Sequence, residues 1–221
     1  MSDPDTLKAG FDALQAERQR SWSAEQLEAN RAQRQALVER FDPARIAQPG
    51  SRLPPFDLID VDGGHISLDV LVRTGPAVLV FFRFATCPAC NISLPYYDRR
   101  LRPALERASI PLIAVSPQTP QRLRAIKDRH GLRLRVATDP DNRLARHLGI
   151  TFVPDQRDTI PPKGWIGEVT GTNSWELPQP TVLCIGKNGI VRSIIVSPDW
   201  LDRPEADEVL ETMNVEANAV A

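Results

Sequence analysis

The apolar run Pro76-Ala77-Val78-Leu79-Val80-Phe81-Phe82 ends at Arg83, and four residues further on stands Cys87-Pro88-Ala89-Cys90. A continuous apolar run of this length, with no polar alternation, is the pattern of a strand buried on both faces. Such a strand needs helices above and below it. The cysteine pair then opens a helical stretch that runs to about Ala108, with Pro95 and Pro103 expected to kink or break it. A buried strand feeding a helix through Cys-x-x-Cys excludes an all-helical bundle and places both sulfurs at the strand–helix junction.

The flanking sequence repeats the alternation of strand and helix. Phe56 to Val61 reads as a short strand, with Asp62-Gly63-Gly64 as a hairpin-type turn. Ile110 to Val115 is a second buried strand, and Thr119-Pro120 begins a helix that stops at Gly131. Val136 to Thr138 is a brief strand, after which Asp139 and Pro140 start a helix ended by Gly149. The segment from Phe152 to Pro178 reads as a long loop or hairpin. Thr181 to Ile185, the turn Lys187-Asn188-Gly189, and Ile190 to Val196 form a hairpin, and a last helix starts at Asp202 with Pro204 and Glu205. Together these predict an α/β domain over 49–221, a mixed sheet sandwiched by helices. Residues 1–48 read as a helical arm. Asp3 with Pro4 gives one helix start, with Phe11 and Leu14 on its apolar face. Ser23 with Gln26 forms a capping box for a second helix, which carries Leu27, Leu37, Val38 and Phe41. Faces so sparse in apolar residues pack on a domain or on a second subunit rather than making a core, so a homodimer arm is the alternative to an intramolecular one.

The chemistry concentrates at the cysteine pair. Cys87 at a helix N-terminus faces free backbone N–H groups and the positive end of the helix dipole, which favour a thiolate. Cys90, one turn on and better shielded, is placed to attack a mixed disulfide or a sulfenic acid formed on Cys87. Arg83 can support a thiolate or bind a peroxide oxygen, or can be a surface ion-pairing residue. Thr86 is a candidate helix cap or a donor to the sulfur. Gln179-Pro180 opens a strong strand; a cis peptide there would expose backbone groups for docking an extended chain, whereas a trans proline at a strand start is simply tolerated. Cys184, between Leu183 and Ile185, reads as a buried small hydrophobe. Two alternatives for the pair are a zinc half-site and inert thiols. The zinc reading lacks ligands, because Cys184, His65, His130 and His147 are scattered through the chain. No metal or cofactor is called for.

Composition narrows the partners. With 27 basic and 28 acidic residues and a formal net charge of -1, the chain lacks the basic excess of a nucleic-acid binder. No stretch of about 18 apolar residues marks a membrane span. The opening Met1-Ser2-Asp3-Pro4-Asp5 lacks the basic start and apolar core of a secretory signal, which predicts a cytoplasmic protein. In a reducing compartment, close cysteines serve redox or metal chemistry more often than structural bridging.

Leu53-Pro54-Pro55-Phe56-Asp57-Leu58, Phe81-Phe82-Arg83, Cys87-Pro88-Ala89-Cys90-Asn91, Ala114-Val115-Ser116-Pro117-Gln118-Thr119-Pro120, Thr138-Asp139-Pro140 and Pro180-Thr181-Val182-Leu183 carry a resemblance. From Gly50 to about Pro154, and more loosely to Val196, the chain resembles the peroxiredoxin-like branch of the AhpC/TSA (redoxin) family, and the helical arm is similar to the leader of many such proteins. The resemblance implies a thioredoxin-like fold, an active Cys87 and a cis Pro180. It departs from peroxiredoxins proper at Val80 and Phe84, where those enzymes carry Pro and Thr or Ser, and at Gln179-Pro180, near which they carry an arginine. What is implied is a thiol-dependent oxidoreductase taking a peroxide or a disulfide, with a thioredoxin- or glutaredoxin-type reductant. A redox sensor switching the 152–178 loop is the non-enzymatic alternative.

Overall fold

The computed structural model describes residues 5–154 and 161–215. The expected helix start at Asp3-Pro4 lies outside them.

The strand Ala77–Phe81 (β3) lies in the interior of a seven-stranded sheet, and every residue in it is buried. Its neighbours are the parallel strand Leu112–Ser116 (β4) and the antiparallel strand Thr181–Ile185 (β8). Beyond β4 lie Arg135–Thr138 (β5), Asp57–Asp60 (β1) and the edge strand His65–Ser67 (β2); beyond β8 lies Val191–Val196 (β9). The sheet order is β2-β1-β5-β4-β3-β8-β9, parallel in the middle and antiparallel towards both edges.

Alternation along β3 divides the core. Val78, Val80 and Phe82 face one apolar cluster, and Ala77, Leu79 and Phe81 face the other. Burying each such Val, Leu or Phe side chain contributes about 1.5–3 kcal/mol, which is why this strand tolerates no polar position. The first cluster includes residues of Leu7–Ser21 (α1), Ala24–Arg40 (α2), Pro88–Arg100 (α4), Arg102–Arg107 (α5), Pro120–His130 (α6) and Ala206–Met213 (α9). The second includes residues of Leu68–Thr74 (α3) and Arg143–His147 (α7). The two prolines after the cysteine pair act differently. Pro95 is accommodated within α4, while the helix breaks at Leu101, just before Pro103 in the first turn of α5.

Three local expectations change. Helix α3 follows directly from β2, capped by the Ser67 hydroxyl, which accepts from Val70 N; its seven residues gave too short a pattern to read. The helix expected from Asp139 is split into a 3-10 turn, Pro140–Asn142, and α7. The split falls at Asp141 and Asn142, both left-handed, while the Asp139 carboxylate accepts from Leu144 N and Ala145 N at 3.0 and 2.9 Å. The last helix begins at Glu205 rather than Asp202, because Pro204 still lies in the extended lead-in. Among its described residues the 152–178 segment contains pairing of Thr151–Phe152 (β6) with Leu177–Pro178 (β7) and a short helix, Ile166–Thr170 (α8).

Within the described residues the arm packs on its own chain. Helix α1 lies against α4, and its start is tied to the beginning of α9: Leu7 N and Lys8 N donate to the Glu205 carboxylate at 3.0 and 2.9 Å. The same carboxylate accepts from the Tyr96 hydroxyl on α4 at 2.5 Å. Glu205 therefore satisfies two free amides of one helix while serving as the N-cap residue of another. Glu205→Ala is expected to cost about 2 kcal/mol of unfolding free energy in urea titrations, and to make α1 the first segment cut in limited proteolysis.

Candidate active site

Beyond Phe81 the chain leaves the sheet, turns through residues 82–87 and enters α4. Cys87 is the N-cap residue of α4, with Pro88 in its first turn. The turn is held from several sides. Ala85 N donates to Gln118 Oε1 at 2.5 Å, and Cys87 N donates to Phe84 O at 3.1 Å. Asn91 Nδ2 donates to the carbonyls of Ala85 and Cys87, each at 2.9 Å. The Asn91 carbonyl oxygen accepts in turn from Arg129 Nη1 at 2.9 Å and lies 2.8 Å from His130 Nε2. The cysteine at the start of α4 is thus fixed by side chains of α4 and α6 and by the loop leading to α6.

Both cysteines are reduced and buried, Cys87 at 3% exposure and Cys90 at 0%. The two thiols act on one another and shift in opposite directions. The hydrogen bond to Cys90 and burial push the Cys87 thiol well up. Burial pushes Cys90 up as well, but the bond from Cys87, the Arg203 charge and hydrogen bond, and the Arg83 backbone together bring it well below the ordinary thiol range.

Arg203 is the residue that sequence reasoning missed. It is buried on the far side of α4, with Nη2 3.6 Å from Cys90 Sγ, Nη1 2.6 Å from Ser93 Oγ and Nε 2.9 Å from Trp200 O. It lies 113 residues from Cys90 in the chain, and no local pattern marks it. Asn91 and Gln118 were also missed as supports. Their signal was available, since each stands inside a stretch that carried the family resemblance.

The expected site residues divide. Arg83 is 9% exposed, and its guanidinium lies over the Trp200 ring at 4.2 Å from the centroid, with Phe84 at 5.4 Å and Phe152 at 6.0 Å. Its Nε is buried with no hydrogen-bond partner, so the surface ion-pair reading fails. Thr86 is exposed and caps nothing: Cys87 occupies the N-cap position, and α4 has no side-chain cap. Pairing of Thr181 with Phe81 sets Gln179 and Pro180 at the same end of the sheet as Arg83. The peptide before Pro180 is trans, correcting the cis expectation. Gln179 N donates to Ile150 O at 2.7 Å as β7 runs out of its pairing with β6, so the chain reaches β8 already extended and needs no reversal. Ser197 N donates to Pro180 O at 2.8 Å, so that carbonyl is occupied within the fold. Cys184 is fully buried in β8 with Sγ 3.5 Å from Thr212 Oγ1, as a small core residue.

Arg83 also lines a cavity of about 740 Å³ between α2 and the 152–177 segment. One wall is the α2 face with Ala29, Ala32 and Ala36; the other carries Phe152, Ile166 and Trp175. Trp165 packs on Trp175 with ring centroids 4.9 Å apart. A volume of this size suits a small organic molecule.

Replacing Arg203 by Met is expected to move the rising limb of alkylation by iodoacetamide to higher pH, because a thiol lowered in the fold ionises earlier than a free one and loses that advantage with its cation. The disulfide should also become harder to reduce, as its reduced form loses a stabilising charge. Arg203→Lys should restore part of both. Identical pH profiles in Arg203→Met and the parent would show that Arg203 only packs.

The comparisons with known proteins agree with this architecture. A sequence model described as the AhpC/TSA family matches residues 49–194. Two Mycobacterium tuberculosis proteins provisionally named peroxiredoxins are 28% identical over 101 residues, covering 46% of this chain and 63% of theirs. Among solved structures, the peroxidoxin BcpB of M. tuberculosis superposes with a TM-score of 0.57 at 19% identity, covering 76% of this chain and 96% of that one. A cysteine mutant of peroxiredoxin 6 from Arenicola marina gives 0.59 at 18%, covering 76% and 72%. The bacterioferritin comigratory protein of Xanthomonas campestris gives 0.55 at 14%, covering 72% and 90%. At these identities the structures speak for the fold, a thioredoxin-like one, and the family match covers most of the chain: this protein belongs to the AhpC/TSA family.

Proposed function

We propose that the chain is a thiol peroxidase in which Cys87 attacks a hydroperoxide and Cys90 closes an intramolecular disulfide. The observation that carries this reading is the pair of buried, unbridged cysteines at the β3–α4 junction, with Arg83 from the same turn lining a cavity of substrate size. The Cys90 thiol is lowered in the fold, but it has no exposure and sits behind Cys87 on the helix. Passing the Cys87 proton to Cys90 makes the outer sulfur the nucleophile, and the Arg83 and Arg203 charges favour that thiolate. The terminal peroxide oxygen then transfers to sulfur, giving a sulfenic acid on Cys87 and releasing the remainder as an alcohol or water. Cys90 attacks that sulfur and expels the hydroxyl as water. Regeneration falls to a thioredoxin- or glutaredoxin-type dithiol.

The disulfide-reductase alternative has weaker support, because the Gln179-Pro180 backbone expected to dock an extended chain is already bonded within the fold. Family membership favours the peroxide reading. Among the described residues no helix is long and apolar enough to cross a membrane.

In stopped-flow fluorescence, hydrogen peroxide should oxidise the reduced protein far faster than it oxidises a free thiol. Cys87→Ser should abolish that reaction. Cys90→Ser should stop after one oxidation, leaving a trappable sulfenic acid. Removing one preorganised charge donor from such a site costs about 100-fold, so Arg83→Ala should lower the oxidation rate on that scale. A parent rate no greater than that of a free thiol would refute the peroxidase reading.

A further inference from the structure

Among the described residues, the side-chain contacts of Arg83 are with aromatic rings. Trp200 lies against the guanidinium at 4.2 Å, with Phe84 and Phe152 further out, and the residue is 9% exposed. Stacking of this kind leaves the donors unserved, because the five N–H groups of a guanidinium point outward in its plane. Nε shows this directly, being buried without a hydrogen-bond partner. A buried cation with unserved donors is costly, and an oxygen anion relieves that cost.

The same side chain lines the cavity of about 740 Å³ between α2 and the 152–177 segment, a volume in the range of small-molecule sites. Among the described residues that line it are two arginines, Arg83 and Arg40, and no Asp or Glu. An anion entering there meets attraction and no like charge. Ala32 and Ala36, four positions apart on α2, present one small-residue face to the cavity, which larger side chains would fill. Trp22, Phe152 and Trp175 bring three aromatic groups to the same space. They favour a flat, rigid guest. Rings gain from pairing with rings beyond their burial alone, and a rigid body loses less freedom on binding than a chain of methylenes.

We infer that this cavity is a binding site for an arylcarboxylate, a monocarboxylate on an aromatic body of two or three rings, with its carboxylate bonded to the Arg83 guanidinium. The rings lie between the alanine face of α2 and the Phe152 and Trp175 side. A carboxylate suits the head position because it is flat, singly charged and able to take two parallel bonds from a guanidinium. Neither cysteine lines the cavity, and binding uses no thiol. The inference therefore goes beyond the peroxidase reading and does not rest on it.

Calorimetric titration of the reduced, full-length protein with three probes tests this. Biphenyl-4-carboxylate should bind at least about tenfold more tightly than biphenyl-4-methanol, the scale of one charge-assisted hydrogen bond in a dry site. It should bind several-fold more tightly than decanoate, the scale of one aromatic contact. Arg83→Gln should remove most of the preference for carboxylate over alcohol while the alcohol binds as before. Ala32→Phe should weaken both ring compounds, with a parental thermal melt showing that the variant is folded; Ala36→Leu, on the same face, replaces it if that melt is lowered. Cys87→Ser should bind all three probes as the parent does. Equal affinity for the ring acid and the ring alcohol overturns the inference, as does failure of every probe to bind. A carboxylate preference that survives Arg83→Gln, or decanoate binding as tightly as the aryl acid, overturns it too. Loss of binding in a folded Cys87→Ser would place the guest on the thiol and refute a separate site. Each of these results is obtained whether or not hydrogen peroxide oxidises the protein faster than a free thiol, so the two readings fail separately.

Discussion

Two buried sulfurs one helical turn apart govern this molecule. Neither sulfur can ionise alone in so dry a place, because a naked thiolate there would forfeit its hydration. An arginine from behind α4 stands 3.6 Å from Cys90 Sγ, and with the Cys87 thiol and the Arg83 backbone it lowers that thiol despite its burial. The surrounding structure serves this arrangement. The all-buried β3 strand delivers the chain to the junction, the proline after Cys87 starts the helix without wasting a donor, and Asn91 with Gln118 fixes the intervening turn.

Much of the framework was legible in the sequence because it is written in short-range signals. The apolar run, the proline and glycine punctuation and the Ser23–Gln26 capping box each act within a few residues, and the helices and strands they mark are present. Pro103 was read correctly as a break, since it falls where α4 ends and α5 begins. The left-handed pair Asp141 and Asn142 was not readable, because a buried carboxylate reaching the amides of Leu144 and Ala145 decides that geometry. The trans peptide at Pro180 was missed for a related reason: the conformation there follows from bonds to Ile150 and Ser197, both distant in the chain.

The site itself was half legible. Helix-start logic located the cysteines correctly, with Cys87 as the N-cap residue of α4 and Cys90 one turn on. What it did not show is the cation beside Cys90, which comes from more than a hundred positions away. Arg83 was found from its position, while its setting among Trp200, Phe84 and Phe152 came only with the folded chain. Trp22 and Ala32 belong to a segment that read as an accessory arm. The fold brings that arm over the domain, where it lines the cavity.

The contact between Glu205 and the first turn of α1 spans 198 residues. A link of that span closes almost the whole chain into a ring, and the entropy of closing it is offset only once the sheet has already drawn its two ends near. Arg203 lies two positions from that link, so the cation behind Cys90 arrives with it. During synthesis the thiols therefore emerge, and their strand and helix can form, well before the residues that set their acidity leave the ribosome. The hairpin of strand β8, the antiparallel neighbour of β3, and strand β9 ends only a few residues before Arg203, so completion of the sheet and arrival of that cation fall together late in synthesis.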